Sequence, residues 1–110
     1  MIIKYKNDEN LYNIHGAILS RLQIFDKANE KYQKALELNP RFPEALNNLA
    51  ELMNQTKEFN EAKQLCEKAI KLNKNYAEAY NNLGNSFVNL GFYKEANIFY
   101  EKYYFNYWRQ

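Results

Sequence analysis

Cysteine occurs once in the 110 residues, at Cys66, so no internal disulfide can form, and a reducing compartment fits. Histidine and tryptophan also occur once each, at His15 and Trp108. The ligand spacings of zinc motifs are missing, so no metal and no other cofactor is implied. No run approaches the roughly 18 apolar residues of a membrane span. The opening MIIKYKNDEN lacks the long apolar segment of a secretory leader. A cytoplasmic protein without a membrane role is therefore expected. The formal net charge of +2 is too small to argue for nucleic acid. Three glycines and two prolines rule out a Gly- or Pro-rich linker.

A period of 34 residues is what the chain has in their place. Gly16, Ala50 and Gly84 share one register. So do Ala28, Ala62 and Ala96, then Tyr32, Cys66 and Tyr100, then Phe25, Phe59 and Tyr93. No insertion is needed to keep phase from Glu9 to Gln110. A strict period of this size means stacked copies of one supersecondary unit, which favours a binding surface over a single enzyme pocket. Apolar residues at i, i+3, i+4 and i+7, as in Leu46, Leu49, Ala50 and Met53, make the units helical. The spacing predicts helices over 9–22, 25–38, 43–56, 59–72, 76–90 and 93–108. Pro40 ends the second, Pro43 suits the first turn of the third, and Gly91 closes the fifth. Gln23 and Lys57 hold the register of Gly91 and make less favourable turns. The small residues Gly16, Ala50 and Gly84 are expected to face Ala28, Ala62 and Ala96 across each hairpin.

Tyr80, Leu83-Gly84, Phe87, Tyr93, Ala96 and Tyr100 in the third unit resemble the tetratricopeptide repeat. So do Leu46, Leu49-Ala50, Met53, Phe59, Ala62 and Ala69 in the second. The first carries Tyr12, Gly16, Leu19, Phe25, Ala28, Tyr32, Ala35 and Pro40. His15, Cys66, Lys74, Tyr103 and Trp108 depart from the pattern. The resemblance implies an all-α right-handed solenoid of three helical hairpins. Its parts would be a lead-in over 1–8 and repeats over 9–42, 43–76 and 77–110.

The resemblance also implies a non-catalytic interaction module whose first helices line a concave groove for a protein or extended peptide. The residues it places there include Asn13, Asn47, Asn48, Glu51, Asn54, Gln55, Asn81, Asn82, Asn85 and Asn89. Amides offer donors and acceptors to a peptide main chain. Asn48 and Asn82 resemble the asparagine ladder of repeat-containing glycosyltransferases, broken here by Ile14. Substituting both with alanine is expected to weaken a ligand without loss of helicity. Glu78 and the lack of matched cations argue against clamping a carboxylate tail. One alternative is a recognition segment of a larger enzyme such as a glycosyltransferase. Another is a self-assembling structural module.

His15 and Cys66 lie in different repeats at packed registers, so a catalytic pair is not expected. The lysines of the second helices read as a solvated face, with Glu30–Lys34 and Glu67–Lys71 as i, i+4 pairs. Tyr100, Tyr103, Tyr104, Tyr107 and Trp108 form one stripe at i, i+3, i+4, i+7 and i+8. A repeat end normally needs a polar cap. The aromatic stripe is read instead as a self-association surface, giving a homodimer through the last helix. The bland alternative is packing of Tyr100 and part of Tyr103 inside the last hairpin.

Overall fold

The structure, a computed structural model, describes residues 7–108. The lead-in expected over 1–8 and the end of the last repeat therefore fall largely or partly outside the described residues. Six helices follow one another: α1 (Glu9–Arg21), α2 (Phe25–Leu38), α3 (Pro43–Gln55), α4 (Phe59–Leu72), α5 (Ala77–Asn89) and α6 (Tyr93–Trp108). Among the described residues there is no strand. Each odd helix pairs with the next even one, and each hairpin packs on its neighbour. The stack measures 52 × 28 × 20 Å, elongated as a solenoid must be.

The turns explain where the helices stop. Within each hairpin one residue takes a left-handed conformation: Gln23 at φ 63°, Lys57 at φ 68° and Gly91 at φ 87°. In each, the amide two residues after the cap bonds back across the last turn: Ile24 to Leu19, Glu58 to Met53 and Phe92 to Phe87. This is the Schellman arrangement, which satisfies carbonyls the helix end leaves open. Between hairpins the device is different. The side chains of Asn39 and Asn73 accept from the amides of Arg41 at 3.2 Å and Asn75 at 3.1 Å. These Asx turns are common to both junctions. That is why the second junction forms with Lys74 in the place of Pro40. Asp8 caps α1, accepting from the amides of Asn10 and Leu11.

The nearest atoms over the two helix glycines belong to tyrosine rings, closer than the alanines expected there. A Cβ added to Gly16 would lie 2.7 Å from Tyr32 ring carbons, and one on Gly84 would lie 2.7 Å from Tyr100. The rings lie flat against backbone that only glycine leaves open. The middle hairpin holds Ala50 and Cys66 at the same two registers, both fully buried in the main core cluster. Cys66 is thus a buried packing residue opposite Ala50 and not a reactive departure. Burial, then the nearby Glu67 carboxylate, pushes its thiol up to about 12, which leaves it protonated and inert at neutral pH.

Candidate binding groove

The odd helices lie side by side, α1 against α3 and α3 against α5. Their asparagines are joined across the repeats. Asn48 Nδ2 donates to Asn13 Oδ1 at 3.0 Å. Asn82 Nδ2 donates to Asn47 Oδ1 at 2.7 Å in a buried contact. The spacing is 35 residues in both, one more than the repeat. The Asn-Asn dipeptide therefore carries two roles. Its second amide reaches back, and its first accepts from the repeat that follows. This accounts for Ile14, which holds the reaching-back register in a repeat with no earlier one described.

Asn48 and Asn82, expected to clamp a ligand, each donate a side-chain hydrogen bond to the preceding repeat. Asn47 and Asn82 are only 6% and 5% exposed and share this hydrogen bond. Truncating Asn82 would leave the buried Asn47 acceptor without this donor, a cost to stability beside the unchanged helicity expected of that substitution.

Seven of the expected groove residues do come together. Glu51, Asn54, Gln55, Asn81, Asn82, Asn85 and Asn89 line one concavity of about 450 Å³ between α3 and α5. Asn13, Asn47 and Asn48 are not in its wall. Val88, an apolar member of that wall, was not foreseen.

Within the wall, hydrogen bonds separate fixed amides from free ones. Asn54 is spent at both ends: its Nδ2 donates to the Asn82 carbonyl at 3.1 Å and its Oδ1 accepts from Ser86 at 3.0 Å. Asn85 Oδ1 accepts from the Tyr100 hydroxyl at 2.6 Å and keeps its Nδ2 donors. Asn89 Nδ2 donates to the Asn85 carbonyl, which leaves its Oδ1 open. Asn81 holds the ladder's accepting register with no following repeat described, and its side chain forms no hydrogen bond among the described residues.

Electrostatics add a sign to the groove. Tyr76 is pushed up to about 12, first by burial and then by Glu44, Glu78 and Glu51. The three carboxylates thus act on one point. The cations lie elsewhere. Lys31 sits over the Tyr12 ring at 5.8 Å and Lys63 over Phe87 at 5.7 Å, contacts worth about 0.5–1 kcal/mol where exposed. These two lysines are therefore half-buried covers and not merely solvated charges. Among the described residues the ion pair at contact distance is Lys34–Glu37, 3.6 Å, in place of the expected Glu30–Lys34.

Both ends expose apolar side chains. On α6, Tyr104, Tyr107 and Trp108 are 63%, 49% and 76% exposed, in a chain of ring contacts that begins at Tyr103. Tyr100 leaves that stripe, because its ring is committed to Gly84 and its hydroxyl to Asn85. On α1, Leu11, Ile14, His15 and Ile18 line a shallow hollow of about 240 Å³. His15, expected to be packed, is only half-buried there. No helix among the described residues is long and apolar enough to cross a membrane.

Stacked helical hairpins with a polar concavity on their first helices define a solenoid binding protein. A tetratricopeptide repeat model matches residues 25–84, more than half of the chain, and a second matches 77–104. The chain belongs to the tetratricopeptide repeat family, whose members are protein-interaction modules.

Solved structures agree on the fold. The first repeat domain of human RPAP3, solved by NMR, superposes with a TM-score of 0.87 at 25% identity, over 92% of this chain and 80% of that one. The first repeat domain of Spaghetti (RPAP3), bound to the HSP90 peptide SRMEEVD, superposes at 0.86 with 26% identity, over 89% of this chain and 78% of that one. A crystal structure of MamA superposes at 0.85 with 21% identity, over 94% of this chain. The chain spans 61% of the length of that MamA structure. No curated protein sequence matches it.

Proposed function

We propose that the chain is a non-catalytic module that holds an extended segment of a protein in the concavity between α3 and α5, chiefly by its main chain. The observation that carries this reading is the division of labour among the asparagines. Those that join repeats bond to one another and, apart from Asn82, lie outside the concavity, while Asn81, Asn85 and Asn89 keep unused donors or acceptors on its wall. A peptide main chain offers one donor and one acceptor per residue, which suits such a row.

The peptide SRMEEVD held by the similar Spaghetti domain is rich in carboxylates. It does not suit this groove, whose two helices carry glutamates and no lysine or arginine. The test is side-chain amide NMR of the chain titrated with a partner peptide. Asn81, Asn85 and Asn89 signals should move, and Asn81→Ala with Asn89→Ala should weaken binding more than fivefold with helicity unchanged. Movement confined to other residues would refute the groove.

The exposed rings of Tyr104, Tyr107 and Trp108 favour a second reading, a homodimer joined through α6. Three such rings bury about 150–250 Å² each when fully covered, and self-complementary patches most often close with twofold symmetry. Tyr103 holds the register of Ala35 and Ala69, both fully buried, so a further repeat stacked in the same geometry would meet its ring. Light scattering after size exclusion should show a mass above the monomer that Tyr103→Ser with Trp108→Ser lowers. A monomer throughout, unchanged by the substitutions, would dismiss the dimer.

A further inference from the structure

Resting on the groove reading above, we infer that the segment it takes is basic: an extended peptide whose Lys or Arg side chains meet the carboxylates of α3 and α5 while its main chain meets the free amides. The argument is charge complementarity on an unpartnered helix face. Helices α3 and α5 carry Glu44, Glu51 and Glu78 and not one lysine or arginine. Lysines fall on the second helices α2, α4 and α6. The net charge of +2 hides the acidic character of α3 and α5, because lysines and acidic residues nearly cancel on the second helices and cations outside the helices, such as Arg41, Lys57 and Lys74, outweigh the three glutamates.

Glu51 stands in the wall of the concavity itself. All three glutamates are exposed, and none has a cation within ion-pair distance among the described residues. Arg41 and Lys57, which flank α3, form no ion pair with them either. A ligand cation therefore gains attraction without displacing an internal partner. A ligand carboxylate would face repulsion beside amides alone. Val88 and the stems of Lys or Arg supply an apolar contact beneath the charge.

Random twelve-residue peptides displayed on phage, selected on the full immobilised chain in low salt, provide the probe. The enriched pool should gain Lys and Arg, lose Asp and Glu, and fail to bind Asn81→Ala with Asn89→Ala. The best synthetic peptide should bind Glu51→Gln with Glu78→Gln about tenfold more weakly, as two exposed pairs allow. That difference should shrink at 1 M salt, where screening acts within about 3 Å. A neutral or acidic pool that still needs Asn81 and Asn89 would leave the groove standing and overturn the basic ligand. A basic peptide unaffected by the Glu51 and Glu78 substitutions would do the same. A pool indifferent to Asn81 and Asn89, or no enrichment at all, would overturn the groove and this inference together.

Discussion

The outer hairpins and the middle one solve the same packing problem with opposite residues. The first and third set glycine under a tyrosine ring, Gly16 under Tyr32 and Gly84 under Tyr100. The second holds Ala50 and Cys66 at those registers. One methyl has moved onto the odd helix and one ring has left the even helix. All three hairpins close, so the fold accepts either a ring laid on glycine or a pair of smaller side chains at these two positions. The rings of the outer pairs can add more than packing, since the Tyr100 hydroxyl also reaches Asn85 in the groove wall. Cys66 has no such reach.

The sharpest way to break the comparison is to give an outer hairpin the middle residue without its partner. Tyr32→Cys removes a ring that is 2% exposed and leaves only glycine opposite. The cavity should cost about 3–5 kcal/mol, as large-to-small core changes do. A domain of ordinary stability has about 5–15 kcal/mol in all. Thermal unfolding followed by circular dichroism should show a large fall in the midpoint. A change within experimental scatter would mean that the ring is not part of the core.

The converse change is smaller and isolates the pair. Gly16→Ala drives a methyl to within 2.7 Å of the Tyr32 ring, which should cost about 1–3 kcal/mol by overpacking. Tyr32→Cys in the same chain removes the clash and rebuilds the middle arrangement. The double variant should then cost less than the sum of the singles, with a coupling of about 0.5–3 kcal/mol. Strict additivity would show that the two registers do not share volume.

Much of this was legible in the sequence, and the failures are instructive. Helices α2, α4 and α6 begin and end where the period and the break signals place them, α1 and α3 differ by one residue at the C-terminal end, and α5 by one residue at each end. The three pairs at a 16-residue separation, Gly16–Tyr32, Ala50–Cys66 and Gly84–Tyr100, vary together within the chain. Matching small registers only to small ones hides these pairs. A flat ring on a glycine is as close an approach as two alanines allow.

The groove was legible as a set of asparagines but not as a division between spent and free amides. That division depends on which repeat has a following neighbour among the described residues, as that of Asn47 has and that of Asn81 has not. The 35-residue spacing of Asn13–Asn48 and Asn47–Asn82 was the available signal. Exposure at the two ends was readable only in part. Leu11 and Ile18 share registers with Ala45 and Leu52, which are buried where an earlier repeat covers them.

The smallest effect lies in the hairpin turns, where the comparison runs the other way. The third hairpin is now the favourable one, because Gly91 takes φ 87° at no steric cost. The first and second force Gln23 and Lys57 to φ 63° and 68°. A left-handed residue with a Cβ costs roughly 1–2 kcal/mol, and glycine gives back part of that gain through its greater freedom when unfolded. Lys57→Gly should therefore stabilise by about 0.5–1 kcal/mol, and Gly91→Ala should destabilise by a similar amount. Nothing lies within 4 Å of a Cβ on Gly91, so the backbone angle alone sets its cost. Lys57 is exposed and forms no ion pair among the described residues, so its replacement breaks none. Opposite shifts of the unfolding midpoint, a degree or more each, are the expected result. Equal signs for the two substitutions would mean that contacts, and not backbone conformation, decide these turns.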